Sequence, residues 1–335
     1  MLARVTRLLA LVVLLLALAP PSASAQTVIK LATVLPASSP WGKMLTTIAA
    51  RWKEASGARV TLKVYAGATM GDESAIVKKM RIGQLQAGAI STIGLYDIEP
   101  SSLVLDLPRF VRTKEERDHL LAKIAPKLEK ALADKGYVVL GWAWIGHTHL
   151  FSTTARATLP SARTAKLFMP NGLPALKDLA VALGFKPVLL SWIDLVPSLT
   201  TGLIDAAFLP PSVAQAAQVH LKAKFQGDLR WSMLDGAFVV KSEAWATVPA
   251  DLQAKLKAIV VEAGKAADIQ ADQAEASAIN AMKAQGLQVT SVTDAAEWDK
   301  AVAGVEAVVR GKLVSAAIYD EAKTILATFR ATGTP

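Results

Sequence analysis

The chain has 335 residues, 52% of them hydrophobic, with a formal charge of +9 and no cysteine. At about 150 residues per domain this length predicts two cores, and the apolar content, mostly Ala, Leu and Val, suits helices packed on sheets. The lack of cysteine excludes disulfides, thiolate metal sites and a cysteine nucleophile, and lysines and arginines scattered among acids, with no basic run, argue against nucleic-acid binding.

The N-terminus decides the compartment. Arg4 and Arg7 precede an apolar run over residues 8–19 and an Ala-x-Ala-like site at Ala23 and Ala25, the pattern of a secretory signal peptide over 1–25. The run is shorter than the roughly 20 apolar residues of a membrane span. Cleavage after Ala25 and a soluble periplasmic protein are therefore expected, and loss of Arg4 and Arg7 lowers the charge from +9 to +7.

Residues 28–35 read as a buried strand. Ser39 is the expected N-cap of the next helix, with Pro40 at its first position, and Trp41, Leu45, Ile48 and Trp52 follow at helical spacing up to Gly57. This loop aims a helix N-terminus and the hydroxyls of Ser38 and Ser39 beyond the strand, where they would either take an anionic or carbonyl group or simply cap the helix. Residues 59–65 alternate as a half-buried strand, 72–82 form a helix stopped by Gly83, and 85–92 a further strand. Residues 100–108 read as irregular and 113–133 as a charged helix. Residues 137–151 make one long strand, the expected crossing between lobes, with Trp142 and Trp144 on one face as core or as cleft wall.

Ligand recognition is expected within residues 163–211. Strands over 164–170, 184–190 and 203–208 alternate with helices over 174–183 and 191–202, the latter with Ser191 as N-cap and Gly202 as its stop. Ligands bind beyond the strand ends of such sheets, which brings forward Phe168, Met169, Phe208 and Leu209. Residues 231–240 return as strand. Residues 249–285 are helix-patterned over about 50 Å at 1.5 Å per residue, enough to back two lobes. Asp294 to Glu297 has the form of a capping box opening a helix towards Gly311, and 319–329 reads as the last helix. Residues 81–90 and 200–209 share a plan of helix, glycine cap and small-residue strand, which suggests two lobes on one plan. The expected fold is α/β, a two-lobed periplasmic-binding-protein clamshell with a mixed sheet in each lobe. Lobe I takes 27–145 and 236–262, lobe II takes 146–235 and 286–330, and the helix over 249–285 bridges them.

The order of these pieces resembles the solute-binding subunit of tripartite ATP-independent periplasmic (TRAP) transporters. The resemblance rests on Lys-Leu-Ala-Thr at 30–33, Ser-Ser-Pro-Trp-Gly at 38–42, Gly-Asp-Glu at 71–73, Gly-Gln-Leu-Gln-Ala-Gly at 83–88, Leu-Gly at 183–184, residues 199–205 leading to Pro210, and the runs 239–245 and 248–253. It implies ligand capture by closure, with no cofactor, and delivery to membrane permease subunits driven by an ion gradient. The family usually carries an arginine on the strand at 166–170 that clamps the ligand carboxylate bidentately. This chain has Phe168 there, and Phe208 and Leu209 replace the usual polar residues after Asp205.

Burying an unpaired carboxylate costs several kcal/mol, so an apolar or amphipathic ligand is expected, lipid-like or an aromatic acid whose charged end lies elsewhere. The alternatives are a conventional organic acid clamped by Arg163, Lys166 or Lys241, the same clamshell serving a membrane sensor, and a periplasmic enzyme. His147 and His149 project from one strand face as metal ligands would, but with no further ligand nearby they read as surface or cleft hydrogen-bonders. Glu73 and Asp97 are the weak candidates for an acid–base pair, and no nucleophile elbow or phosphate loop occurs. The expected ligand-binding residues are Ser38, Ser39, Trp41, Glu73, Ser91, Thr92, Trp144, Phe168, Asn171, Phe208 and Leu209, with the hydroxyls and Asn171 orienting the ligand and the rings packing on it.

Overall fold

The structure, a computed structural model, describes residues 26–172 and 174–332; the predicted signal peptide lies outside the described residues. The strands are β1 Thr27–Ala32, β2 Val60–Tyr65, β3 Ala87–Ser91, β4 Tyr137–Ser152, β5 Lys166–Pro170, β6 Lys186–Leu190, β7 Ala206–Leu209, β8 Phe225–Gly227, β9 Ser232–Lys241 and β10 Gln288–Thr290. They run in the order β2-β1-β3-β9-β4-β7-β5-β6, with β8 joining β4 to β10. On one side β1 is parallel to β2 and β3, while β9 is antiparallel to both β3 and β4. On the other, β7 is antiparallel to β4, and β5 is parallel to β7 and β6. Each half is a mixed sheet, and β4 belongs to both.

One strand serves two sheets because it bends. The β4–β9 register shifts between Val139 and Gly141 and again between Trp144 and Gly146, and such bulges add twist and re-aim a strand. At the second shift Gly146 has φ +143°, and a Cβ there would lie 3.1 Å from the Cβ of Pro210. Glycine supplies both the conformation and the room.

The helix Pro40–Ala55 forms as its spacing predicts: Trp41, Leu45, Ile48 and Trp52 are its buried face, and they pack with Ile29, Leu31, Val60 and Ile90 as the first core. A second core gathers Leu120, Ile124, Leu128, Leu167, Leu183, Trp231, Trp298 and Leu326, and a third holds Phe151, Phe168, Leu195, Leu199, Ile204 and Met282. Adjacent residues of β5, Leu167 and Phe168, feed the second and third cores, so the second sheet is covered on both faces. The helix Ala250–Lys283 places Leu252, Leu256, Ile259 and Val260 in the first core and Met282 in the third. It crosses β4 at Gly264, where a Cβ would lie 2.8 Å from the carbonyl oxygen of Trp142. Among the described residues no helix is long and apolar enough to cross a membrane.

Some bounds depart from the sequence reading, each for a local reason. β1 stops at Ala32 because Thr33 Oγ1 accepts the Leu35 N–H at 3.3 Å and turns the chain. β3 stops at Ser91, whose hydroxyl caps a short helix, Thr92–Leu95. Residues 100–108 are not wholly irregular, since Pro100–Leu105 is a 3-10 helix. Ser191 does not cap a helix with its side chain: a 3-10 turn, Trp192–Asp194, comes first, and the helix Leu195–Thr201 follows and ends at Gly202. Asp294 closes no capping box. Its carboxylate is taken by the Leu159 N–H at 2.8 Å and the Trp298 indole N–H at 3.0 Å. The last helix is longer than expected, Ala316–Thr332.

Candidate ligand-binding site

The two sheets face a common cavity of about 200 Å³ beyond the ends of β1, β3, β5 and β7. Leu35, Trp41, Asp72, Glu73, Ser74 and Ser91 line it from the first half, and Phe168, Met169, Asn171, Trp192, Phe208 and Leu209 from the second. Ile145 and Thr148 of β4 and Ser232 and Leu234 of β9 also border it. Two close approaches across it involve Asp72 and Gly172. Asp72 Oδ1 accepts the Trp192 N–H at 2.8 Å, and Gly172, at φ +92°, lies so near Ser74 that a Cβ would come within 2.5 Å of the Ser74 hydroxyl oxygen.

Glu73 opens the helix Glu73–Arg81. Its Oε1 accepts the Ser91 N–H at 2.7 Å and its Oε2 the Ser91 hydroxyl at 2.6 Å. It keeps some exposed surface but is densely surrounded, and this desolvation raises its pKa against the lowering effect of the Ser91 and Gly94 hydrogen bonds. Asp106 also borders the cavity. Its Oδ1 accepts the Asp235 N–H at 2.9 Å, and the Thr92 hydroxyl donates to its Oδ2. Burial, then the neighbouring Asp235 carboxylate, holds the Asp106 pKa well above the ordinary carboxylate range. Both carboxyls are thus biased towards their neutral forms.

Among the described residues, the cavity lining contains no arginine, lysine or histidine. The three cations weighed as substitutes for a family arginine are engaged elsewhere. Arg163 Nε donates to the Leu183 carbonyl at 2.7 Å, Lys166 donates to the Gly202 carbonyl, and Lys241 sits over the Tyr137 ring at 5.0 Å.

Of the expected residues, the structure brings together Trp41, Glu73, Ser91, Phe168, Asn171, Phe208 and Leu209, with Met169 beside them. It leaves four outside that lining. Ser38 is exposed. The Ser39 hydroxyl is consumed by its own helix, accepting the Gly42 N–H at 3.1 Å and donating to the Pro36 carbonyl at 2.6 Å. Thr92 is fully buried against Asp106. Trp144 faces a second cavity, of about 490 Å³, between the helix Pro40–Ala55 and the long helix, separated from the first by Trp41, Ile145, Pro210 and Val213. That cavity carries the exposed Arg51–Glu262 ion pair on its wall.

The two histidines lie neither on the surface nor in the cleft. Both are buried against Glu275 of the long helix, with His147 Nδ1 at 3.4 Å from Oε2 and His149 Nε2 at 3.5 Å from Oε1. Burial raises the Glu275 pKa, but hydrogen bonds from His147 and His149 outweigh it and leave the value at about 2. Among the described residues no group of three or more His, Asp or Glu side chains is placed to hold a metal. Asp97 does not border the cavity, so it forms no acid–base pair with Glu73 there.

Asp72, Ser74, Asp106, Trp192 and Trp231 border the cleft without having been anticipated. Trp192 had a signal, since it follows the end of β6 directly. Asp106 and Trp231 had none, because long-range packing of β9 brings them in. Behind them, buried Arg117 holds Asp235 at 2.6 Å and Asp268 of the long helix at 2.9 Å, and Asp268 accepts the Trp144 N–H at 2.8 Å. This chain of contacts ties the cleft floor to the long helix.

Two α/β halves closed over a cavity at their strand ends define a clamshell solute-binding protein. Residues 31–309 match the family described as bacterial extracellular solute-binding protein, family 7, and the chain belongs to that family, so the TRAP resemblance read from the motifs holds. The C4-dicarboxylate-binding periplasmic protein DctP of Rhodobacter capsulatus is 23% identical over 299 residues, 87% of this chain and 88% of that protein. A solute-binding protein of Chromohalobacter salexigens is 28% identical over 178 residues, 51% of this chain, and the match spans only 52% of that relative's length. A TRAP periplasmic solute binding protein from Desulfovibrio salexigens, solved with bound orotic acid, shares the fold with a TM-score of 0.83 at 16% identity, over 90% of this chain and 99% of that one.

Proposed function

We propose that this protein is the extracytoplasmic solute-binding subunit of a TRAP-type secondary transporter, whose ligand presents an uncharged, largely apolar surface to the cleft. In this reading residues 1–25 export the chain to the periplasm, the lobes close on the ligand by bending at β4 and β9, and membrane permease subunits receive it. The observation that carries the ligand class is the lining: Asp72, Glu73 and Asp106 border the cavity with no cation among the described residues there. A carboxylate entering such a site would leave water without a cationic partner, at a cost of several kcal/mol. Apolar surface would gain roughly 25 cal/mol per Å² buried. Apolar and amphipathic molecules fit, including lipid-like ones and aromatic acids whose charged end stays outside the cavity.

A second reading, a conventional organic acid, is favoured by the name of the Rhodobacter capsulatus relative. It needs a cation that Arg163, Lys166 and Lys241 do not supply in this arrangement. Titration calorimetry of C4-dicarboxylates against neutral aromatic and medium-chain aliphatic ligands separates the two. The first reading predicts measurable heats only for the neutral set. Tight dicarboxylate binding abolished by replacing one of those cations establishes the second.

A further inference from the structure

The cavity is not confined to the space between the lobes. Part of its wall is made by Leu179 and Leu183, on or next to the helix Pro174–Ala182, and by Phe185 and Trp231, all of which belong to the second core. Phe208 completes this wall, stacked on Trp231 at 4.9 Å, with Phe185 edge-on to both rings at 5.8 Å. Protein interiors leave few voids larger than a water molecule, so a cavity bounded by core side chains and braced rings is a chamber shaped for a guest. Polarity is segregated along it. The polar groups Asp72, Glu73, Ser74, Ser91 and Asp106 come from the first lobe, Thr148 and Ser232 from β4 and β9, and Asn171 from the tip of β5, whereas the wall made by Leu179, Leu183, Phe185, Phe208 and Trp231 is apolar.

We propose that the ligand binds end-on, with an apolar tail inserted into the second lobe between Leu179 and the Phe208–Trp231 stack, and an uncharged polar head at Glu73 and Ser91. This rests on the reading that no cation holds the ligand, and it adds a direction and a shape: a single slender tail on a small hydrogen-bonding head. The Ser91 N–H and hydroxyl both donate to Glu73, so neither is left to receive an anionic head.

The test titrates primary n-alkyl amides, from butanamide to decanamide, and the matching n-alkanoates into the full mature chain, by calorimetry and by the fluorescence of the cleft tryptophans. Amide affinity is expected to tighten about three- to fourfold per methylene until the chamber is full, with alkanoates at least tenfold weaker than matched amides. Ala180→Phe, which fills the chamber from the helix side, is expected to weaken the longest amide at least tenfold and to leave butanamide within twofold. Should that variant not fold, Leu179→Ala enlarges the chamber and is expected to move the plateau to longer chains. Amide affinity independent of chain length, or a plateau unmoved by Leu179→Ala, overturns the end-on geometry while the uncharged-ligand reading stands. Alkanoates binding more tightly than amides, or no amide binding at any length, overturns both.

Discussion

Phe168 meets the Trp192 ring edge-on at 5.7 Å, and the Trp192 backbone is pinned by Asp72 of the other lobe. The residue standing where the family resemblance expects an arginine is therefore both core and cleft wall. At this scale the ionic groups divide by partner. Arg117 is buried among Asp235, Asp268 and Asp118, and its pKa is raised because those carboxylates outweigh the burial that would lower it. Arg117→Ala leaves Asp235 buried without its cation and is expected to cost about 3–5 kcal/mol in denaturant unfolding. Glu275 offers a pH signature. Its pKa falls from the ordinary 4.5 to about 2 on folding, so its contribution is fully present above about pH 4.5 and disappears as the pH drops towards 2. Glu275→Gln should flatten the rise of unfolding free energy across that window and lower stability at pH 7 by about 1–3 kcal/mol; an unchanged acid limb contradicts the pairing. His147 and His149 were legible as two side chains on one strand face. Their partner, 126 or more residues away on the long helix, was not, since nothing local marks Glu275 as facing β4.

Elements were legible wherever burial and local capping agreed. The helix Pro40–Ala55 and the helix Ala250–Lys283 follow their apolar spacing closely. Misreadings gathered where a polar side chain had a better tertiary partner, as with Asp294, or where the chain tightened to 3-10 geometry, as at Trp192–Asp194. The long helix depends on close approach to β4. At Gly264 a side chain would meet backbone at 2.8 Å. Gly264→Ala gains up to about 1 kcal/mol of helix propensity but overpacks the crossing by about 1–3 kcal/mol. Thermal unfolding should therefore show net destabilisation, and a stabilised variant would mean that the helix stands off the strand.

For the whole molecule, the two lobes and the crossing strand were legible from segment order, and the family from motif spacing. Part of the site was not, because Asp106 and Trp231 reach it through long-range packing of β9 and Asp72 meets Trp192 only across the two lobes. On the proposed reading, closure must hold a neutral ligand without an ion pair, and the Gly172–Ser74 approach leaves no room for a methyl group. Gly172→Ala is expected to weaken ligand binding at least tenfold through a faster off-rate in stopped-flow fluorescence, with unfolding of the ligand-free protein little changed. Equal affinity would show that this contact is not part of the bound state. The measurement that bears most directly on a cleft without a cation is a crystal structure of the protein purified without refolding, retaining whatever it has captured. The expected density is slender and apolar, running from Ser91 towards Trp231. A carboxylate in the cleft within about 3 Å of an arginine or lysine nitrogen, the distance of a charge-assisted hydrogen bond, would contradict it.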